Sequence, residues 1–217
     1  MTSRPLLVGI GGGTGTGKTT LCSAIVQTAM HVSVLDVDAY YLDRGHLSPS
    51  ERSRLNYDEP AAFDIRLLAE HLRGVARGET ISKPIYSFDS HTRVGTERFG
   101  PGRLVLVEGI FALWWEEVRE LFDLTIFVDA PGDLRLRRRI ERDIATRGRT
   151  VESVTTQYQE TVRPMHERYV EPTRRHAAVI VLNEGTIDAA LRPIHEAFRR
   201  LGFSPDPQHD TMSIAPP

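Results

Sequence analysis

The sequence predicts an α/β fold, a parallel sheet covered by helices on both faces. Three observations carry this prediction. Short apolar runs alternate with stretches of helical periodicity along most of the chain, the pattern of a parallel sheet wrapped by crossover helices. A glycine-rich loop sits between the first apolar run and the first helical stretch. The polar residues able to do chemistry fall just after the apolar runs, where open parallel sheets bind their ligands.

Residues 6–10 (Leu-Leu-Val-Gly-Ile) form the first predicted strand. The loop Gly12-Gly13-Thr14-Gly15-Thr16-Gly17-Lys18-Thr19-Thr20 follows and fits G-x-x-x-x-G-K-[ST], a phosphate-binding loop. Its glycines let backbone N–H groups curl around phosphate oxygens, Lys18 reaches the β and γ phosphates, and the Thr19 hydroxyl suits Mg²⁺. Leu21, Ala24, Ile25 and Thr28 then recur at helical spacing, predicting a helix over 19–29 whose N-terminus adds a positive dipole end.

The second strand is predicted over 32–37, ending in Asp36-Val37-Asp38. A phosphoryl-transfer enzyme with a hydroxyl acceptor needs a carboxylate to orient it and take its proton. Asp38, deeper in the turn, is preferred for that role, and Asp36 is read as a cap or turn residue. A helix is predicted over 61–77. Residues 78–102 break the rhythm with short alternation and turn residues, which predicts a β-hairpin inserted in the core and bearing aromatics and His91. Next comes the strand 104–107, closed by Glu108-Gly109, an acidic strand end suited to holding Mg²⁺ with Gly109 permitting close approach to a ligand.

A further strand is predicted over 124–128 and a helix over 132–146. On that helix Arg135, Arg139 and Arg142 share one face, and Arg147-Gly148-Arg149 follows. Like charges stacked this way suit a lid that closes on a triphosphate; Arg137 and Arg138 read as solvated. Further helices over 151–168 and 186–201 flank a last strand, 178–182.

The 217 residues suit one domain over 1–203, with a Pro-, Asp- and Ser-rich tail over 204–217. A net charge of −2 gives no case for nucleic acid or a membrane surface as partner. The single cysteine, Cys22, excludes an intramolecular disulfide and fits a reducing cytoplasm. No apolar run approaches a membrane span, and residues 1–5 lead directly into the first strand, so neither a membrane anchor nor a signal peptide is expected.

Taken in order, Gly12 to Thr20, Asp38-Ala39-Tyr40-Tyr41, Asn56-Tyr57-Asp58-Glu59-Pro60, Ala62-Phe63-Asp64, Pro84-Ile85-Tyr86, Phe88, His91-Thr92-Arg93, Glu108-Gly109, Arg142-Asp143, Arg147-Gly148-Arg149 and Gln157-Tyr158 make the chain resemble the uridine/cytidine kinase family, over residues 5–185. The resemblance implies a P-loop kinase fold with an arginine-rich lid over 132–168 and phosphorylation of uridine or cytidine by ATP or GTP with Mg²⁺. It implies Asp38 as base, Asp58 on the ribose hydroxyls, Tyr86 and Phe88 against the pyrimidine, and His91 at its O4 or N4 edge. Arg139, Arg149 and Gln157 would face the nucleoside, Arg142 and Arg147 the triphosphate, and Thr19 with Glu108 the metal. A homotetramer is implied as well. The sequence departs from the family pattern at Ser87 and Ala61, where Asp is usual, and at Val37. Two other readings remain open: a kinase of the same superfamily with another acceptor, such as a sugar phosphate, pantothenate or another nucleoside, and a non-catalytic nucleotide-binding regulator.

Overall fold

The computed structural model of the chain describes residues 4–204. Along it run β1 (Leu6–Gly11), α1 (Lys18–Thr28), β2 (Val32–Asp36), α2 (Pro49–Arg52), α3 (Ile65–Ala76), β3 (Ile81–Ser87), β4 (Thr92–Phe99), β5 (Leu104–Glu108), α4 (Glu116–Arg119), β6 (Leu124–Asp129), α5 (Gly132–Arg147), α6 (Val151–Gln157), α7 (Arg163–Met165), β7 (Val179–Leu182) and α8 (Ile187–Arg200). The tail expected over 204–217 lies outside the described residues, Ser204 apart.

Five strands form one parallel sheet in the order β2-β5-β1-β6-β7. Alternate residues feed opposite faces, as the pleat requires. On β5, Val105 and Val107 pack into the core on the α3 side, while Leu104 and Leu106 pack into the core shared with α1 and α8. Both faces are therefore covered, which is why these strands read as unbroken apolar runs. Each fully buried side chain such as Leu106 contributes roughly 1.5–3 kcal/mol of burial. The remaining two strands, β3 and β4, pair antiparallel as the inserted hairpin.

Local chemistry sets the element ends. The N-caps of α3, α6 and α8 are Asp64, Thr150 and Thr186, each accepting a backbone N–H of its own first turn. By contrast α1 begins at Gly17 with no side-chain cap, which leaves its first N–H groups for a ligand.

Three predicted boundaries are corrected. The strand expected over 32–37 stops at Asp36, because Asp36 Oδ1 accepts the Asp38 N–H at 2.8 Å and turns Val37–Tyr40 into a 3-10 helix. The helix expected from residue 61 starts at Ile65; Pro60–Ala62 is a separate 3-10 turn ahead of the Asp64 cap. The helix expected over 151–168 is broken by two wide π turns, Tyr158–Val162 and His166–Val170, on either side of α7. Such insertions re-aim side chains and are frequent at functional sites.

Candidate active site

The phosphate loop leaves β1, whose neighbours β5 and β6 lie on opposite sides of it. This is the topological switch point of the sheet. A cavity of about 1020 Å³ opens there, above the carboxyl ends of the strands. Thr14, Gly15, Gly17, Lys18, Thr19 and Thr20 line it; Gly12, Gly13 and Thr16 do not. Gly12 backs onto the Val128 carbonyl, and Gly13 lies against Arg135 and His166. Thr16 turns its hydroxyl onto the Gly13 carbonyl at 2.9 Å and so braces the loop. Lys18 is buried and donates to the carbonyls of Gly12 and Gly13 at 2.9 and 3.0 Å. Burial, joined by the positive charge of Arg142, lowers its pKa against the opposing pull of Glu108 and Asp38.

Three carboxylates stand beside it. Glu108 is buried and accepts the Thr19 hydroxyl at 2.8 Å. Asp36, its lateral neighbour in the sheet, is occupied as a cap. Asp38 differs from both: its Oδ1 is buried and meets no hydrogen-bond donor. Burial and the charge of Glu108 push the Asp38 pKa up to about 6, against Lys18, Arg147 and Arg142, which hold it down. Gly109 lines the cavity and is also required by packing. A Cβ there would lie 2.6 Å from Cβ of Val37, so the missing side chain makes room for the turn that carries Asp38.

Arg135, Arg139 and Arg142 recur at i, i+4 and i+7 on one continuous helix and meet different partners. Arg139, Arg142, Arg147 and Arg149 line the cavity, gathered by one carboxylate, Asp143, whose side chain has no exposure. Arg142 is bonded to it at 2.8–2.9 Å, and Arg139, Arg147 and Arg149 stand at 3.6–3.7 Å. Arg135 lies outside this group, against Gly13 on the far side of the loop. Arg137 is exposed, as expected. Arg138 is not merely solvated, since its guanidinium donates to the Asn183 carbonyl at 3.0 Å.

Across the cavity the hairpin brings Tyr86, Phe88 and His91 to the lining. The rings interlock: Tyr41 lies 5.1 Å from Tyr86, and His91 stacks on Tyr57 at 4.1 Å and 15°. Burial, with the charges of Arg52 and Arg147, lowers the His91 pKa and keeps the ring neutral. Arg147 lies over the Phe88 ring at 5.1 Å, joining lid to hairpin. Asp58 also faces the cavity and accepts the Thr161 hydroxyl at 3.3 Å. Gln157 Oε1 accepts from Arg139 at 3.0 Å and from Arg149, so it is no free surface residue. Neither Ser87 nor Ala61 lines the cavity, and Ser87 instead accepts the Ser90 N–H in the hairpin turn.

Sequence reasoning gave no role to Tyr57, Thr161, His166 or Asn183. Tyr57 lies inside the Asn56–Pro60 motif and Thr161 one helical turn after Gln157, a signal available in principle. Nothing local marks His166 or Asn183.

The model of the Phosphoribulokinase / Uridine kinase family matches residues 7–190. The chain belongs to this family. A uridine kinase from Clostridium novyi is 43% identical over 191 residues, 87% of this chain and 92% of that one. A uridine kinase from Halalkalibacterium halodurans is 45% identical over 194 residues, 88% and 92% of the two chains. Phosphoribulokinase from Rhodobacter spheroides shares the fold, with a TM-score of 0.63 at 16% identity over 83% of this chain and 71% of that one. Membership of the family implies that the chain binds a nucleotide.

Proposed function

We propose that the chain transfers the γ-phosphoryl group of ATP or GTP to the 5′-hydroxyl of uridine or cytidine, giving UMP or CMP. The observation that carries this reading is Asp38. Its buried, unpartnered Oδ1 lies in the same cavity as Lys18, Thr19 and Glu108 on one side and Asp58 with the aromatic hairpin on the other.

The residues fit Mg²⁺. Thr19 Oγ1 and Glu108 Oε1 are hard oxygen donors in contact at the cavity wall. Among the described residues no group of three or more His, Cys, Asp or Glu forms a complete cage, as suits an ion that takes one or two protein ligands and completes its shell with phosphates and water. When bound, the ion would offset the charge of the phosphates.

The chain's own groups supply the rest. Lys18 exchanges its two loop carbonyls for phosphate oxygens. Arg142 and Arg147, held at Asp143, compensate charge on the transferred group. Asp38 accepts the proton of the 5′-hydroxyl. Asp58 orients the ribose, Tyr86 and Phe88 pack on the pyrimidine, His91 reads its O4 or N4 edge, and Arg139, Arg149 and Gln157 hold the nucleoside side. Catalysis is positioning plus charge compensation, as phosphoryl transfer requires. The aromatic wall favours a base over a sugar phosphate, which would call for cations there. Assembly as a homotetramer and a cytoplasmic location complete the proposal. Among the described residues no helix is long and apolar enough to cross a membrane. The test is a panel of nucleosides and sugars with ATP–Mg²⁺, scored for phosphorylated product. Product from uridine or cytidine is expected, and product only from other acceptors would overturn the reading.

A further inference from the structure

We propose that Asn183 is a positioning residue for the donor triphosphate, one that aims a backbone N–H of the phosphate loop into the cavity. The proposal rests on the kinase reading above for the identity of the donor, and on geometry for the rest.

Asn183 is the first residue after β7 and only 6% exposed. Three bonds fix it. Its N–H donates to the Asp129 carbonyl at 2.8 Å, its own carbonyl accepts Arg138 of α5 at 3.0 Å, and its side-chain Nδ2 donates to the Thr16 carbonyl at 2.7 Å. Only the amide nitrogen can face that carbonyl, since the reverse rotamer would set two acceptors against each other.

The consequence lies in the peptide joining Thr16 to Gly17. In a trans peptide the C=O and the N–H point to opposite sides. Holding the Thr16 carbonyl against Asn183 therefore turns the Gly17 N–H the other way, toward the cavity that Gly17 lines. Gly17 has φ 88° and, as glycine, would otherwise let this peptide flip at little cost. Asn183 removes that freedom. It also explains why position 17 must be glycine here, because a Cβ would come within 2.3 Å of Asn183 Nδ2. The same residue takes a bond from the lid helix, so loop and lid share one anchor.

Two variants of the full chain separate this role from a merely structural one. Asn183→Ala removes the bond, and Asn183→Asp replaces a donor with an acceptor and sets a negative charge behind the loop. Isothermal titration with ATP–Mg²⁺, with tripolyphosphate–Mg²⁺ and separately with uridine reads the contrast. We expect a loss of about 2- to 10-fold in ATP affinity for Asn183→Ala, the range for one net hydrogen bond, and more than about 10-fold for Asn183→Asp. Tripolyphosphate should fall in parallel, uridine affinity should stay within about twofold, and the Gly17 amide resonance should shift. ATP binding within twofold of the parent in both variants, or equal loss of uridine, overturns the assignment. If Asn183→Asp does not fold, Asn183→Ala decides alone by the same criterion. Should the parent chain phosphorylate neither pyrimidine nucleoside, the acceptor reading falls, and the ATP and tripolyphosphate titrations still decide this one.

Discussion

The floor of the cavity and its lid each bury a carboxylate, and they treat it in opposite ways. Asp143, in the lid, has four arginines within 4 Å and no exposure. Each keeps one buried oxygen without a hydrogen-bond donor, Oδ2 of Asp143 and Oδ1 of Asp38, but Asp143 Oδ2 stands 3.6 Å from two guanidiniums whereas Asp38, in the floor, sits near a second carboxylate, Glu108. A buried acceptor left without a donor costs about 1–3 kcal/mol, and at Asp143 the surrounding guanidiniums offset that cost. A carboxylate ringed by guanidiniums is spent on holding them in place. The surrounding charge, four guanidiniums at Asp143 and a second carboxylate at Asp38, is what separates the two aspartates.

The sharpest way to break this contrast is Asp38→Asn. It keeps shape and loses the base, so kcat should fall roughly 10²–10⁴-fold with the melting temperature unchanged or raised. Near-normal turnover in a steady-state assay would remove Asp38 from the role. The pH profile sharpens the same point. With a pKa of about 6, Asp38 is protonated in acid and cannot accept a proton. Then kcat/KM should drop about tenfold per pH unit below that value and level off above it. A profile flat down to pH 5 would contradict the assignment.

Asp143→Asn tests the other half. It leaves buried Arg139 facing three other guanidiniums with Asp58 as its remaining counter-charge. Removing one member of a buried pair costs roughly 3–5 kcal/mol; with Arg142 and Arg147 42% and 38% exposed, we expect about 2–3 kcal/mol in denaturant unfolding. Activity should fall with it, since the lid arginines lose their anchor. Unchanged stability would mean that solvent screens the cluster. The smallest effect is expected at the seam between the halves. Phe88→Ala removes both a ring of the acceptor wall and the partner of Arg147. Acceptor KM should rise several-fold, and ATP affinity should weaken by a smaller factor, because the cation–π contact is worth about 0.5–1 kcal/mol at an exposed site. A double-mutant cycle with Arg147→Ala measures that term.

Much of the site was legible before the fold was known. The loop from Gly12 to Thr20, Asp38 and Glu108 lie within a few residues of strand ends, and strand ends can be read from runs of apolar residues. The hairpin showed itself by alternation between turn residues. Asp36 and Asp38 look alike in sequence, and the reading of Asp36 as a cap is borne out by the 2.8 Å bond that its side chain accepts from the Asp38 N–H. The arginines of α5 were legible as a group, and only Arg138 was misread as merely solvated, because helical spacing gives a face and not what the face meets. Arg135 meets Gly13, Arg138 meets Asn183, and Arg142 meets Asp143.

By itself, then, the sequence determined the parallel α/β sheet, the phosphate loop and the side of the sheet where ligands bind. Each follows from local rules, namely periodicity, glycine freedom and the uncapped start of a helix. The tertiary structure alone decided which polar groups are satisfied by protein and which are left for a substrate. Asn183 and Thr16 stand 167 residues apart in the chain and 2.7 Å apart in the fold. Hydrogen-bond satisfaction depends on such distances, and no local pattern encodes them.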